Sequence, residues 1–286
     1  VVPILGAGSS MADYRIGFKW WALIIAVVFV ISELVCVVCV PERPVACDEK
    51  PGKISDMFKA LFKNDQAMTV VVSIILVYTS LNICGNLVLY FFRFDVGNEG
   101  AYSIFAAVAF AAQVLVMMVI PLLRKRFSKS QLFISGFIIQ IAGFAVILIM
   151  AFAKLYTPQS WYILCLPGIL IYLGYGMLNV IMTIFLSDSV DYGEVMNGTR
   201  EESVIFSMQT FTVKLASGVA VFLAGLVVDW IHLDTAAAVQ TQDTLDALRM
   251  WMTIPSVILL IVGIFVFKRF YKLDDARMEE IKSKLN

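Results

Sequence analysis

One lysine, Lys214, stands inside the long apolar stretch Ser203–Ile231. Around it Ser203, Ser207, Thr210, Lys214 and Ser217 recur at spacings of four, three, four and three, which places them on one face of a helix. An ammonium group at the centre of a membrane-crossing helix costs about 2.5–3.5 kcal/mol, so it calls for a water-filled cavity or an acidic partner. No carboxylate is expected at the same depth. Two further stretches carry comparable rows: Tyr172, Tyr175, Asn179 and Thr183 in one, Thr79, Asn82, Asn86 and Tyr90 in the other. Amides supply both donors and acceptors, and tyrosine adds a ring face and a hydroxyl, which suits a polyhydroxylated ligand. Taken singly, each of these groups would serve equally as interhelical hydrogen-bonding glue. Three rows together favour a shared aqueous cavity. Gln113 and Gln140 stand alone in their segments and read as glue.

The elements that must carry these rows are membrane spans. Of the 286 residues 60% are hydrophobic and 15% charged, against about 45–50% and 25% in a soluble domain, and the mean hydropathy is +0.86. Seven segments reach the roughly 20 apolar residues a helix needs to cross a bilayer: Trp20–Val40, Met68–Phe92, Ala101–Leu123, Gln131–Ala153, Trp161–Leu186, Ser203–Ile231 and Met250–Phe267. One set of connections carries sixteen Lys and Arg residues and the opposite set five, so the first set, and the C-terminus with it, is expected on the cytoplasmic side. All five tryptophans fall at span ends on the other side, where an amphipathic ring is at home. Between positions 41 and 66, Ile54, Met57, Phe58, Leu61 and Phe62 with Lys53, Lys59 and Lys63 read as an amphipathic helix on the cytoplasmic membrane face. Zero net charge gives no reason to expect nucleic acid. The cysteines lie mostly in apolar runs, without the pattern of a disulfide framework; Cys36-Val-Val-Cys39 has redox or metal spacing but lies within a membrane-type segment, where cysteine acts as a small hydrophobe. Val1–Gly8 reads as the tail of an apolar segment that begins upstream. No nucleophile–base pair, metal cluster or phosphate loop is visible, so an enzyme is not expected and no cofactor is called for.

The most distinctive run is Asp188-Ser-Val-Asp191-Tyr-Gly-Glu194, followed by Arg200-Glu-Glu202-Ser203 and Ser207-Met-Gln209-Thr210-Phe-Thr-Val213-Lys214. It sits where two spans meet on the basic side. Asp188, Asp191 and Glu194, each three apart, would stack on a helix, with Arg200 and the Arg124–Lys129 loop as available partners. The bland alternative is a solvated acidic loop. This run, with Asn64-Asp65-Gln66 and Asn82/Asn86/Tyr90, closely resembles the glycoside–pentoside–hexuronide:cation symporters. The resemblance implies an all-α major facilitator bundle in which the seven spans correspond to helices six to twelve of twelve. It divides the chain into residues 1–40 ending an N-terminal bundle, 41–66 as a central cytoplasmic loop, 67–268 as a six-helix bundle and 269–286 as a cytoplasmic tail. It implies cation-coupled sugar or glycoside symport, with sodium or proton as coupling ion, across a bacterial plasma membrane, by rocking of this bundle against an N-terminal one. Lys214, Thr210, Gln209, Asn179, Tyr175, Asn82 and Asn86 would form the sugar and cation region. Asp188, Asp191, Glu194 and Arg200 would form a cytoplasmic gate. Partners would be the sugar, a monovalent cation, the bilayer and a further N-terminal helical bundle bearing the cation-binding carboxylates. Asn179 stands where melibiose permease, the familiar member, has a tryptophan, so the resemblance does not extend to melibiose as substrate. The competing readings are a seven-helix receptor, with Lys214 as a retinal-type attachment point, and a relative that kept the fold without sugar transport.

Overall fold

A computed structural model describes residues 11–39, 62–198, 200, 202–237 and 239–285. It divides into two units, Val1–Gly52 and Lys53–Asn286. The first holds helix α1, Met11–Cys39. Its Leu, Ile, Val and Phe side chains ring every face, the pattern of a helix made for an apolar surround.

The second unit is a bundle of antiparallel helices. Asn64 caps α2, Asp65–Tyr90, its side chain accepting from the Ala67 amide, and α2 runs on into a π-helical turn, Phe91–Asp95. Helix α3 spans Ala101–Leu123. Helix α4, Lys129–Phe152, starts from a reciprocal cap between Ser128 and Gln131. After a 3₁₀ turn at Trp161–Leu164 comes α5, Cys165–Asn197, which stops at Gly198 in the left-handed conformation, φ +72°, where glycine carries no Cβ penalty. Helix α6 spans Glu202–Trp230, α7 Gln242–Phe270 and α8 Asp275–Leu285. With α1, seven helices are long and apolar enough to cross a membrane, and no strand occurs among the described residues.

Within the bundle α5 packs on α3, α4 and α2, while α2 packs on α6 and α7 and α4 on α7. The α4–α5 crossing is close: a Cβ on Gly174 would lie 2.6 Å from the Gln140 nitrogen and the Gly136 carbonyl oxygen. Between α2 and α7, Ser80 and Ser256 each donate a hydroxyl proton to the other's backbone carbonyl, at 3.1 and 2.8 Å, and both are fully buried. An aromatic cluster of Phe133, Phe137, Phe185 and Phe267 ties α4, α5 and α7 together. This places the core where α2, α4, α5 and α7 meet.

Several expectations need correction. Helix α7 begins at Gln242 rather than Met250, because Thr241 caps it and Arg249 pairs with Asp246 one turn before it; charges that read as loop are helical. Helix α5 runs to Asn197 rather than Leu186, so the acidic run lies within its last three turns, just before α6. Within residues 269–286, and without bearing on their expected place as a tail, Met278 and Ile281 of α8 pack with Leu273 against Tyr192 and Tyr271. Gln140 does not act as glue: it is fully buried, and neither polar atom of its side chain has a partner. The amphipathic stretch at 54–61 lies outside the described residues.

Candidate functional site

The two ends of the bundle are marked by contacts. At one, here the Lys129 end, Asn64, Lys129, Asp188 and Phe270 come together. At the other, the Arg249 end, Asp95, Tyr156 and Arg249 meet.

Between these ends the three polar rows lie side by side. The Asn179 amide of α5 donates to the Tyr78 hydroxyl of α2 at 2.7 Å. The Tyr78 ring meets Tyr175 edge-on at 5.5 Å, and Tyr172 continues the aromatic path at 6.5 Å from Tyr175. Ser217 of α6 approaches Asn82 of α2, and Gln209 of α6 approaches Thr183 of α5, each at 3.5 Å. At that length these last two register neighbouring helices more than they bind them. Asn82 and Asn86 each donate one amide proton back to the carbonyl one turn earlier, at 2.7 Å; the Asn82 amide oxygen faces Ser217 of α6. Asn82, Asn86, Asn179 and Gln209 are half-buried, Tyr175 is buried, and Thr210 and Lys214 are exposed. Lys214 lies on α6 away from the buried Thr212, Ala216 and Ala220, and it has no ion-pair partner among the described residues.

The row on α2 starts differently from the sequence expectation. Thr79 points inward, 6% exposed, with its hydroxyl unpartnered. Tyr78 takes its place, since 78, 82 and 86 are one helical turn apart while 79 is rotated toward the core. The signal was there in Tyr78 at four residues before Asn82.

The acidic run splits into two charge clusters. Arg200 binds Glu194 at 2.8 Å, Asp191 at 3.1 Å and Glu202 at 3.2 Å. Glu194 first holds the guanidinium proton more tightly than usual; burial opposes it, and Glu202 and Asp191 add to the hold. Asp188 is not in this cluster: it is buried and pairs with the equally buried Lys129 at the first turn of α4. Asp275 of α8 reaches the same Lys129 at 3.5 Å and Arg124 at 3.4 Å. Tyr271 lies alongside; burial, with Asp188 and Asp275 near, pushes its hydroxyl well above the ordinary range. Asn64-Asp65-Gln66 is a clasp at the same end. Asn64 donates to the Ser189 carbonyl at 2.8 Å. Gln66 accepts from the Lys272 amide at 2.8 Å and donates to the Phe270 carbonyl at 3.4 Å. Gly193 leaves room for Asn64, whose Nδ2 would lie 2.9 Å from a Cβ there.

A third charge cluster was missed in the sequence. At the Arg249 end, Asp95 and Arg249 are both 3% exposed and form a two-pronged ion pair, Nε to Oδ2 at 2.8 Å and Nη2 to Oδ1. Asp246 takes Nη1 at 2.6 Å, and the Tyr156 hydroxyl donates to Asp95 at 2.6 Å. Burial and the Asp95 carboxylate raise the Tyr156 hydroxyl beyond its usual range. Lys214 is therefore not the one cation inside a span. Arg249 sits seven residues into α7, about 10 Å along it. Its polar neighbours made the segment look like loop.

No group of three or more His, Cys, Asp or Glu suited to a metal ion occurs among the described residues. The site offers hydroxyls, amides, aromatic faces and one free ammonium group: means to bind and orient, without a nucleophile beside a base.

Comparison with known proteins agrees. The chain is 24% identical to the raffinose carrier protein of Pediococcus pentosaceus, over all of this chain and 44% of that protein. It is 24% identical to the isoprimeverose transporter of Lactiplantibacillus pentosus, over 96% of this chain and 55% of that one. It is 22% identical to the lactose permease of Lactobacillus helveticus, over 94% and 42% respectively. The chain thus spans about half the length of the curated relatives it matches. The sequence profile of MFS/sugar transport proteins matches residues 1–275. Taken with seven membrane-length helices, this match shows that the chain belongs to the MFS/sugar transport protein family, whose members are transporters rather than enzymes.

Proposed function

We propose that this chain supplies a substrate-lining bundle of a secondary active transporter that carries a sugar or glycoside with sodium or a proton by alternating access. The observation that carries the reading is the convergence of three polar rows, from α2, α5 and α6, on one face that also exposes Lys214. Asn82, Asn86, Asn179, Gln209 and Thr210 meet sugar hydroxyls there, and Tyr175 with Tyr78 offers ring faces to the apolar side of a pyranose. Lys214 answers to carboxylates from a further N-terminal bundle and couples the cation to the sugar electrostatically. The Lys129 end faces the cytoplasm of a bacterial inner membrane, because the basic connections gather there. The Arg200 cluster, with Asp191 and Glu194, and the Lys129–Asp188 pair act as the gate at that end: ion pairs that close it must part when it opens. The match to a transporter family leaves nothing to favour a seven-helix receptor.

The test is Lys214→Ala in the full-length protein, in membrane vesicles, with lactose, raffinose and methyl β-xyloside as probes. Membrane insertion is expected to be normal and cation-driven accumulation lost. Accumulation at the wild-type level in that variant would refute the role of Lys214. A wild type that accumulates none of the probes with either ion would refute the reading itself.

A further inference from the structure

Toward the Arg249 end the polar face opens into a cleft of about 550 Å³ between α2 and α6, a size typical of small-molecule sites, about 300–1,000 Å³. Asn86 and Tyr90 line it from α2, and Val221, Phe222, Gly225 and Asp229 from α6. Val221 and Gly225 fall seven and eleven residues beyond Lys214, on the same side of the helix, so the cleft continues the face already described. Three groups in it have no partner among the described residues: the Asp229 carboxylate, the Tyr90 hydroxyl and the Asn86 amide oxygen, whose amide nitrogen is used by the Asn82 carbonyl. A Cβ at Gly225 would meet nothing within 4 Å. Unlike Gly174, this glycine answers to no neighbour in the bundle, and the space above it is open to a ligand.

We propose that this cleft is a second sugar subsite, at which a pyranose docks before it reaches the row at Asn82 and Asn179, with Asn86 standing between the two and serving each in turn. A carboxylate that accepts from two vicinal hydroxyls, an amide oxygen that accepts from a third, and the Phe222 and Tyr90 rings together match the mixed polar and apolar faces of a sugar. A pyranose uses all of these at once, whereas an alkali cation would leave the rings idle. The inference rests on the transport reading above. It also gives Asp229 a duty that the Lys214 region does not explain: recognition on one side of the membrane only.

The experiment uses the full-length protein in right-side-out vesicles, with whichever of lactose, raffinose and methyl β-xyloside the wild type accumulates. Asp229→Asn is expected to raise the KM for influx about tenfold, equivalent to 1.4 kcal/mol. The KM for efflux from preloaded vesicles should stay within twofold, and Asp229→Glu should recover influx to within threefold of wild type. In a background without reactive cysteines, Gly225→Cys should react from outside with a membrane-impermeant methanethiosulfonate, and saturating sugar should protect it. Equal changes of KM in both directions, or none, would overturn the proposal. A change confined to the cation dependence would assign the cleft to the coupling ion instead. A Gly225→Cys thiol that stays unreactive would make the cleft a helix-docking groove. A wild type that carries none of the probes fails the transport reading, and the subsite falls with it.

Discussion

Replacing Arg249 by methionine should be the most damaging single change at the Arg249 end, and the magnitude follows from the cluster. The substitution keeps the length and apolar stem of the side chain but removes both prongs of the Asp95 pair and the bond to Asp246. Asp95 then stays 97% buried in the wild-type geometry with a single donor, the Tyr156 hydroxyl. Leaving one partner of a buried ion pair uncompensated costs about 3–5 kcal/mol. The reverse change, Asp95→Leu, is milder, because Arg249 keeps Asp246, which is one-third exposed and reaches solvent. The double variant Asp95→Leu/Arg249→Met removes the stranded charge and should recover at least half of the loss. The assay is thermal unfolding in detergent, followed by the fraction surviving size-exclusion chromatography after heating. With a slope of about 2–4 °C per kcal/mol for a chain of this class, Arg249→Met should lower the midpoint by roughly 6–20 °C. A fall under 2 °C, or a double variant as unstable as Arg249→Met, would refute the idea that this pair is a dry clasp between the end of α2 and α7.

Two further outcomes follow from the α4–α5 crossing. Gly174→Ala would place a methyl group 2.6 Å from the Gln140 nitrogen and the Gly136 carbonyl, so the helices must part, at a cost of about 1–3 kcal/mol; the same thermal assay should show the loss, and an unchanged midpoint would mean the helices are not in backbone contact. Gln140→Leu should be neutral or stabilising by about 1–3 kcal/mol, since both polar atoms of Gln140 are buried without partners and a leucine of similar size needs none; a clear loss of stability would show that the amide is satisfied after all.

The sequence determined the class of the molecule and the rows. Composition and run length alone require seven membrane helices, because a backbone in hydrocarbon must satisfy its own hydrogen bonds. The 3.6-residue period puts Ser207, Thr210, Lys214 and Ser217 on one face whatever they face. Tertiary structure decided what the charges do. Asp188 and Asp191 are three residues apart and look equivalent along the chain. One is buried against Lys129, and the other reaches Arg200, because α4 covers one flank of α5 and leaves the other open. Arg249 looked like a loop residue, since a charge in isolation belongs in water. Only the arrival of Asp95, 154 residues away in the chain, makes it a helix residue in the core. A buried charge is tolerated only where the fold brings an opposite charge into contact with it, and the sequence does not specify which distant charge arrives. The sharing of one face by the rows was likewise settled by the packing of α2 against α5 and α6. Helical periodicity fixes where a side chain points from its own axis and says nothing of how the axes are rotated against each other.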